Sequence, residues 1–261
     1  MRFLAVFCLL SMQLLSAPIG NPSAPRILEE GFFIPKKCWA NVRAGYEGDF
    51  VFDGQMEQDE EGSGSVDRYT QTTNAGSVAL NLLERLDLYG VFGSSRVCAE
   101  WRFSDMADRV RNAEIETSHN FLWAVGGRAI LFTWGNWDLG FGGRYSALHN
   151  HVQWLTIDGS NASVAGARCR WREWQANVGV SYHIDLFTPY IGVGYLNVRT
   201  ALDGLTSSIA DLGSRRDHFK NRIPAGIYLG CTLSTGKYFM LNVEARLVDE
   251  EAVSLSGEFR F

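Results

Sequence analysis

The chain is poor in proline and has no long hydrophobic run. Of its 261 residues, 6 are proline and 27 are glycine, while 46% are hydrophobic and 13% are aromatic. No internal stretch reaches the roughly 18 consecutive apolar residues that mark a transmembrane helix. This argues against a helical membrane protein. It suits a β-barrel, whose strands alternate apolar and polar residues and so keep the average hydropathy near neutral.

Basic runs and enzyme motifs are also missing. The formal net charge is −5 and no basic stripe is present, so nucleic acid is not expected as a partner. The sequence contains neither a GxSxG nor an HExxH motif. The glycine cluster at 140–143 lies in an alternating segment rather than before a helix, which argues against a phosphate-binding loop. We therefore expect a protein that is not an enzyme and that carries neither cofactor nor metal.

The N-terminus has the pattern of a secretory signal peptide. Arg2 supplies a positive charge, and residues 3–15 form an apolar run that is too short to span a bilayer. The small residue Ala17 then marks the expected cleavage site. We divide the chain into a signal peptide (1–17), a periplasmic N-terminal segment (18–37) and an outer-membrane β-barrel (38–261).

Four cysteines remain after the expected cleavage, in an oxidising compartment where disulfides can form. They are Cys38, Cys98, Cys169 and Cys231. Four cysteines allow three pairings, and the sequence does not choose among them. No two are close enough in sequence for a CxxC redox or zinc motif.

From residue 38 onward, apolar and polar residues alternate. In the segment 239–247, Phe239, Leu241 and Val243 fall on one face, whereas Glu244 and Arg246 fall on the other. Alternation indicates a sheet with one apolar and one polar face, and several runs are long enough for a tilted crossing of a bilayer. About ten strands are predicted: 38–53, 73–84, 86–95, 119–134, 137–154, 170–184, 187–200, 219–234, 237–248 and 252–261.

The predicted connections alternate between long and short. Long connections are expected at 54–65, 96–118, 158–167 and 203–217, and tight turns near residues 84–85, 135–136, 184–185 and 235–236. The last connection, near 249–251, departs from this rule because it is short. Short periplasmic turns and long extracellular loops are typical of outer-membrane barrels. The sequence therefore predicts an all-β fold, a transmembrane antiparallel up-and-down β-barrel of about ten strands.

Aromatic residues near the predicted strand ends add a second indication of a membrane. We interpret them as interfacial girdles, although aromatics also favour strands in general. They are Trp123, Trp137, Tyr145, Trp174, Tyr182, Phe187 and Tyr195. The chain ends on Phe261, the last residue of an alternating segment, and we interpret this terminal aromatic as a signal for the barrel assembly machinery.

Several segments resemble one family along the whole chain. They are PIGNPSAP followed by EEGF, AGYEGDFVFD, TNAGSVALNLLERLDLYGVFG, REWQANVGVSYHIDLFTPYIGVGY and the ending EARLVDEEAVSLSGEFRF. In content and order they resemble the chlamydial-type major outer membrane protein (porin) family. The resemblance implies a barrel in the bacterial cell outer membrane, in contact with its lipid, that passes small solutes and helps to build the cell envelope.

The resemblance also implies disulfide cross-links to other envelope proteins. Cys38 lies where the family tends to carry cysteine, near the periplasmic start of the first strand, and Cys98 and Cys169 are further candidates. The sequence leaves open whether the chain forms a homo-oligomer. The chain is shorter than a typical family member and lacks some strand pairs and much of the variable loops.

Charged residues on the polar faces are the expected lining of a pore. They are Arg43, Glu47, Asp49, Arg128, Arg144, Glu173, Glu244, Arg246, Glu258 and Arg260. Mixed charge of this kind orients hydrated solutes. Barrels of about eight strands, however, are filled by their own side chains, and ten strands lie nearer to that size than to the 16–18 of open porins. The alternative is a plugged structural or adhesive barrel that does not conduct.

A third hypothesis is a protease at the outer rim. Asp138, His149, His151 and Asp158 lie on the fifth predicted strand and the loop beyond it, and a His beside an Asp can activate water. The simpler interpretation is a pair of hydrated surface histidines. For the adhesive alternative, the acidic run 59–61 and the basic pair 215–216 are the candidate binding residues. The simpler interpretation is that both are solvated loop tips without a partner.

Overall fold

The computed structural model describes residues 18–33, 38–59, 66–104, 109–204 and 218–261. The predicted signal peptide, 1–17, lies outside the described residues. Within the described ranges, no helix is both long enough and apolar enough to cross a membrane.

One short helix and fourteen strands are found in the described residues. The helix is α1 (Ala24–Ile27). The strands are β1 (Ala40–Gly54), β2 (Met56–Gln58), β3 (Val66–Leu82), β4 (Leu86–Ser104), β5 (Val110–Thr117), β6 (Asn120–Trp134), β7 (Trp137–Ile157), β8 (Ser160–Asn161), β9 (Arg168–Tyr182), β10 (Phe187–Asp203), β11 (His218–Asn221), β12 (Ala225–Ser234), β13 (Phe239–Leu247) and β14 (Glu250–Arg260).

The strands close into an antiparallel ring. β1 pairs with β3 on one side and with β14, the last strand, on the other. β5 and β6 follow each other along β4 and β7 and occupy one place in the ring, and β11 and β12 share another beside β10. The ring order is therefore β1, β3, β4, β5–β6, β7, β9, β10, β11–β12, β13 and β14. This confirms the barrel of about ten strands.

The alternating residues of the sequence lie on opposite faces of the barrel wall, one facing outward and the other facing the lumen. On β1, Val42 and Tyr46 point outward and are 40% and 54% exposed, whereas Arg43 points inward and is 1% exposed. Successive side chains of a strand lie on opposite faces, so the same alternation repeats around the ring. An exposed apolar belt with a buried polar interior is the arrangement that a bilayer requires.

The short turns lie where the sequence predicts them. Leu83 and Glu84 have φ values of 56° and 53° and join β3 to β4, and Gly135, with φ 58°, lies between β6 and β7. Positive φ at both central positions is typical of the tight hairpin turns whose twist matches that of the flanking strands.

The predicted long connection at 96–118 is wrong for most of its length. β4 continues to Ser104 and β5 begins at Val110, so only residues 105–109 fall between them. The strands extend because Val97, Trp101 and Phe103 all point inward and are buried. The outward positions here carry polar or charged residues, which obscured the strand pattern. Two other predicted loops also contain short strands, β2 and β8.

Candidate functional site: the barrel lumen

Residues 18–28, called the N-terminal plug below, lie inside the ring. The backbone N–H groups of Ile19 and Gly20 donate to the two carboxylate oxygens of Glu244, each at 2.8 Å. The side-chain amide of Asn21 donates to the carbonyl of Thr188 at 3.0 Å and to the hydroxyl of Thr232 at 2.9 Å. A segment that the sequence assigns to the periplasm thus contributes its first eleven residues to the lumen.

The middle of the plug lies against glycines of the barrel wall. A Cβ on Gly140 would lie 2.8 Å from the Cβ of Pro22, and one on Gly179 would lie 3.0 Å from the Cγ of Pro22. The close approach of Pro22 therefore depends on wall positions without a side chain. The next residue, Ser23, donates its hydroxyl to Asp138 at 2.8 Å.

Helix α1 and the residue after it are held through their carbonyl groups. Arg43 Nη1 donates to the carbonyl of Ala24 at 2.9 Å, Asn81 Nδ2 to that of Pro25 at 2.8 Å, and Arg260 Nη1 to that of Leu28. These donors satisfy carbonyls that a four-residue helix leaves unpaired. Apolar packing around the helix is small, and its cluster consists of Ala24, Ile27, Leu28 and Met240.

Ion pairs occupy the lumen near the plug. Arg128 pairs with Asp87 at 2.8 Å and with Glu258 at 2.9 Å. Arg43 bridges the same two carboxylates and lies 3.4 Å from Glu258. Asp87 is fully buried and was not among the predicted pore-lining residues. The alternation of Leu86, Asp87 and Leu88 was the signal for its inward position.

A second group of ion pairs crosses the lumen between distant strands. Arg144 of β7 pairs with Glu47 of β1 at 2.8 Å. Arg246 of β13 pairs with Asp49 of β1 at 2.7 Å and with its own-strand neighbour Glu244 at 3.2 Å. Burying a charge costs free energy unless the charge is paired. These ion pairs are therefore needed for the stability of the fold, and they also line the lumen.

The remaining predicted lining residues also point inward. Glu173 is 4% exposed and accepts a hydrogen bond from the indole of Trp171 at 3.2 Å. Arg260, 0% exposed, pairs with Glu84 at 3.2 Å beside the turn after β3. The ten predicted residues thus share the inner face, but they pair with one another and with other carboxylates rather than bordering an open channel.

The outer part of the lumen is filled by an apolar core, called the outer apolar cluster below. Its residues are Val51, Met56, Tyr69, Val97, Trp101, Phe103, Ala113, Ile115, Leu122, Leu148, Val152, Leu155, Ala167, Cys169, Trp171, Leu196, Val198, Leu202 and Phe219. Tyr69 stacks on Trp171 with ring centroids 5.1 Å apart, and Trp101 meets Phe219 edge-on at 5.3 Å. This cluster is not predicted from the sequence, because much of it lies in the segments predicted as loops.

Little space is left between the plug and the wall in the described residues. A cavity of about 40 Å³ is lined by Pro18, Ile19, Glu47, Tyr89, Arg128 and other residues. One water molecule needs on the order of 10–15 Å³, so this cavity holds a few at most. The space between the plug and this part of the wall is therefore too small for a solute.

The residues of the protease hypothesis are not brought together. His149 and His151 are exposed on the outward face of β7, whereas Asp138 is buried inside the ring near the opposite end of the same strand. Asp138 accepts hydrogen bonds from Ser23, Arg26 and His183. Asp158 pairs with Arg111 at 2.7 Å. The described residues contain no group of three or more His, Cys, Asp or Glu arranged for a metal ion.

The adhesion candidates fall largely outside the described residues. Asp59 pairs with Lys220 at 3.0 Å, whereas residues 60, 61, 215 and 216 are not described.

The four cysteines of the expected mature chain are unpaired in this structure. Cys38 precedes β1, at the end of the ring where the short turns lie. Cys169 is buried in the outer apolar cluster, and Cys98 is partly exposed on β4.

Known proteins match along the chain. The family model for the Chlamydia major outer membrane protein matches residues 156–217. A major outer membrane porin of Chlamydia pneumoniae is 26% identical over 367 positions, covering 94% of this chain and 94% of that protein. The serovar H major outer membrane porin of Chlamydia trachomatis is 23% identical over 393 positions, covering 100% of this chain and 99% of that protein.

Both alignments are longer than the 261 residues of the chain, so they contain long gaps in it. Among solved structures, an outer membrane channel from Pseudomonas putida F1 covers 94% of this chain and 100% of its own, at 13% identity and a TM-score of 0.47. The barrel itself is established by the strand pairing described above. The resemblance to the chlamydial major outer membrane protein family is confirmed by the family model and the two porins, and the chain is a short outer-membrane relative of those porins.

Proposed function

We propose that the chain is a narrow porin-like barrel for passive diffusion of small solutes and a structural component of the cell envelope. In this proposal, the described structure is the closed state. The observation that carries the proposal is the chemistry of the N-terminal plug: it lies in a charged lumen and is held mainly by hydrogen bonds. Glu244 and Asn21 provide four of these bonds.

Hydrogen bonds of this kind are compatible with displacement of the plug. Neutral bonds such as those of Asn21 contribute about 0.5–1.5 kcal/mol net each, and bonds to charged groups such as Glu244 about 1.5–3 kcal/mol, because water replaces the partner when the bond opens. Apolar burial, which water does not replace, is limited at the plug to a few residues, among them the small cluster around Leu28 and Met240 and Pro22 against the wall glycines. The plug is thus held firmly enough to close the lumen and weakly enough to leave it.

Passage through the outer half requires a second movement. Met56 of β2 and Phe219 of β11 belong to the outer apolar cluster, and these two short strands pair over only three positions. We propose that separation of β2 from β11 opens the outer end, since no long ladder holds them together.

Single-channel conductance in planar bilayers tests the proposal. The proteins compared are the expected mature chain, 18–261, and a shortened chain that begins at residue 29. We expect rare openings from the first and frequent openings from the second, with Phe33→Ala as a control that changes an exposed residue just outside the plug. If neither chain conducts while both keep the heat-modifiable gel migration of a folded barrel, passive diffusion is refuted.

The second candidate function is a plugged structural or adhesive barrel, which that last result would support. The outer apolar cluster favours it, because exposing an apolar core such as that around Trp101 and Leu155 to water is unfavourable. We further propose that the protein is not an enzyme. The porin relatives point the same way, and the catalytic candidates are separated across the barrel wall.

The proposed partners follow from the two ends of the barrel. Phe261 is 37% exposed and its ring lies 6.1 Å from that of Phe32, and we propose that this partly exposed ring is recognised by the barrel assembly machinery. Cys38, at the periplasmic end, is the residue that we propose for disulfide cross-linking to other envelope proteins. Deletion of Phe261 should lower the amount of assembled barrel, and Cys38→Ser should abolish such cross-links on non-reducing gels.

A further inference from the structure

Two aromatic girdles fix the position of the bilayer on the barrel. Near the short turns, Trp137 and Tyr182 pack with ring centroids 4.6 Å apart. Eight residues further along β9, Trp174 packs against Tyr195 at 5.2 Å. Eight residues of a tilted strand correspond to roughly 20–25 Å of height, the size of the apolar band of outer-membrane barrels. The Trp174 level therefore marks the outer edge of the hydrocarbon.

Arginines follow directly beyond that edge, on the outward face. Arg168, Arg170 and Arg172 alternate along β9 and are exposed. Arg199, the exposed residue of β10 directly opposite Arg172, extends the row sideways.

Histidines of the neighbouring strand complete this surface. His149 and His151 of β7 are exposed and stand opposite Arg170 and Arg168. The outer basic surface is defined here as Arg168, Arg172, Arg199, His149 and His151.

The protein itself neutralises only part of this charge. Arg170 pairs with Asp203, its Nη2 lying 2.8 Å from Oδ1. Arg168, Arg172 and Arg199 have no ion-pair partner among the described residues. Like charges placed directly opposite each other on adjacent strands are destabilising. An anion from outside the protein would therefore reduce the repulsion between Arg172 and Arg199.

We propose that the outer basic surface binds the phosphate groups of a phosphorylated lipid of the outer leaflet. Arg172 lies two residues beyond Trp174, about 7 Å along the strand, which places its guanidinium in the headgroup layer rather than in the hydrocarbon. Guanidinium groups bind phosphate through paired hydrogen bonds. The leaflet is the outer one because these residues lie on the side of the long connections. The proposal does not depend on whether the lumen conducts.

Lipid binding by the full-length refolded barrel in zwitterionic detergent tests the proposal, with native mass spectrometry as the readout. The ligands are diphosphorylated lipid A, the same lipid without phosphates, and inorganic pyrophosphate. The test variant is the double substitution Arg172→Gln with Arg199→Gln. The control, Arg96→Gln with Arg102→Gln, removes the same charge from outward arginines of β4 that are already paired with Glu116 and Asp67.

We expect the test variant to lose about tenfold or more in affinity for lipid A, because charge-assisted hydrogen bonds from guanidinium to phosphate are stronger than neutral ones. The control should stay within about twofold, as expected for surface ion pairs. Equal loss in both variants, or equal binding of the lipid without phosphates, would overturn the proposal. Tight binding of pyrophosphate without lipid A would assign the surface to a soluble anion instead. Unchanged thermal stability of the test variant in detergent excludes misfolding as the cause.

Discussion

Replacing Asn21 with alanine changes a residue of the N-terminal plug and leaves every residue of the barrel wall as it is. Asn21 is 2% exposed, and its amide donates to the carbonyl of Thr188 and the hydroxyl of Thr232. Its side-chain oxygen accepts the N–H of Ser23 at 2.8 Å. The bond to Ser23 lies within the plug, so only the two neutral hydrogen bonds to the wall count toward docking. At about 1 kcal/mol each they amount to roughly 2 kcal/mol, and their loss lowers the ratio of docked to undocked plug by about thirtyfold.

Two assays report this ratio independently. Trypsin cleaves after Arg26. The docked Arg26 side chain pairs with Asp138 at 2.8 Å and is 35% exposed, but Pro25 and Ile27 on either side are buried, so cleavage should be fast only when the plug leaves the lumen. Open probability in planar bilayers is the second readout. Asn21→Ala should raise both, whereas Phe33→Ala should raise neither. If cleavage after Arg26 is as slow in Asn21→Ala as in the unmodified protein, the plug is held by something other than these hydrogen bonds and the reasoning is refuted.

Three further changes test other parts of the structure. Gly140→Ala places a methyl group against Pro22 and should cost about 1–3 kcal/mol of plug docking by overpacking, seen as faster trypsin cleavage. Arg246→Met leaves buried carboxylates, Asp49 among them, without their cation and should lower the free energy of unfolding in urea by about 3–5 kcal/mol; a loss below about 1 kcal/mol would contradict the buried pairing. In the turn after β13, burial raises the pKa of Asp249 to about 6. The folded state therefore prefers the protonated carboxyl, so stability falls as the pH rises from 3.8 through 6, and Asp249→Asn should flatten that dependence.

Much of the ring could be predicted because a period of two is a local signal. The alternation around Glu244 and Arg246 was sufficient to place both side chains inside the barrel. Their partners were not predictable, since Arg246 reaches Asp49 across 197 positions of the sequence. Such pairs depend on the register of the strands and on how the barrel closes. Local sequence patterns specify neither of these.

The N-terminal plug could not be predicted for a different reason. Many of its contacts are made by backbone groups, such as the N–H groups of Ile19 and Gly20 and the carbonyl of Ala24, and almost every residue offers the same groups. The outer apolar cluster has a local signal in part. Val97, Trp101 and Phe103 keep the inward phase of β4, although the polar residues between them are equally typical of a loop.

The donors that hold the plug come from both sides of the seam where the ring closes. Arg43 lies on the first long strand and Arg260 on the last, opposite each other in the same pair of strands. Their acceptors, the carbonyls of Ala24 and Leu28, belong to one short stretch of chain. Through these two bonds the plug links the first and the last long strand on the inner face of the seam, in addition to the backbone hydrogen bonds between the two strands.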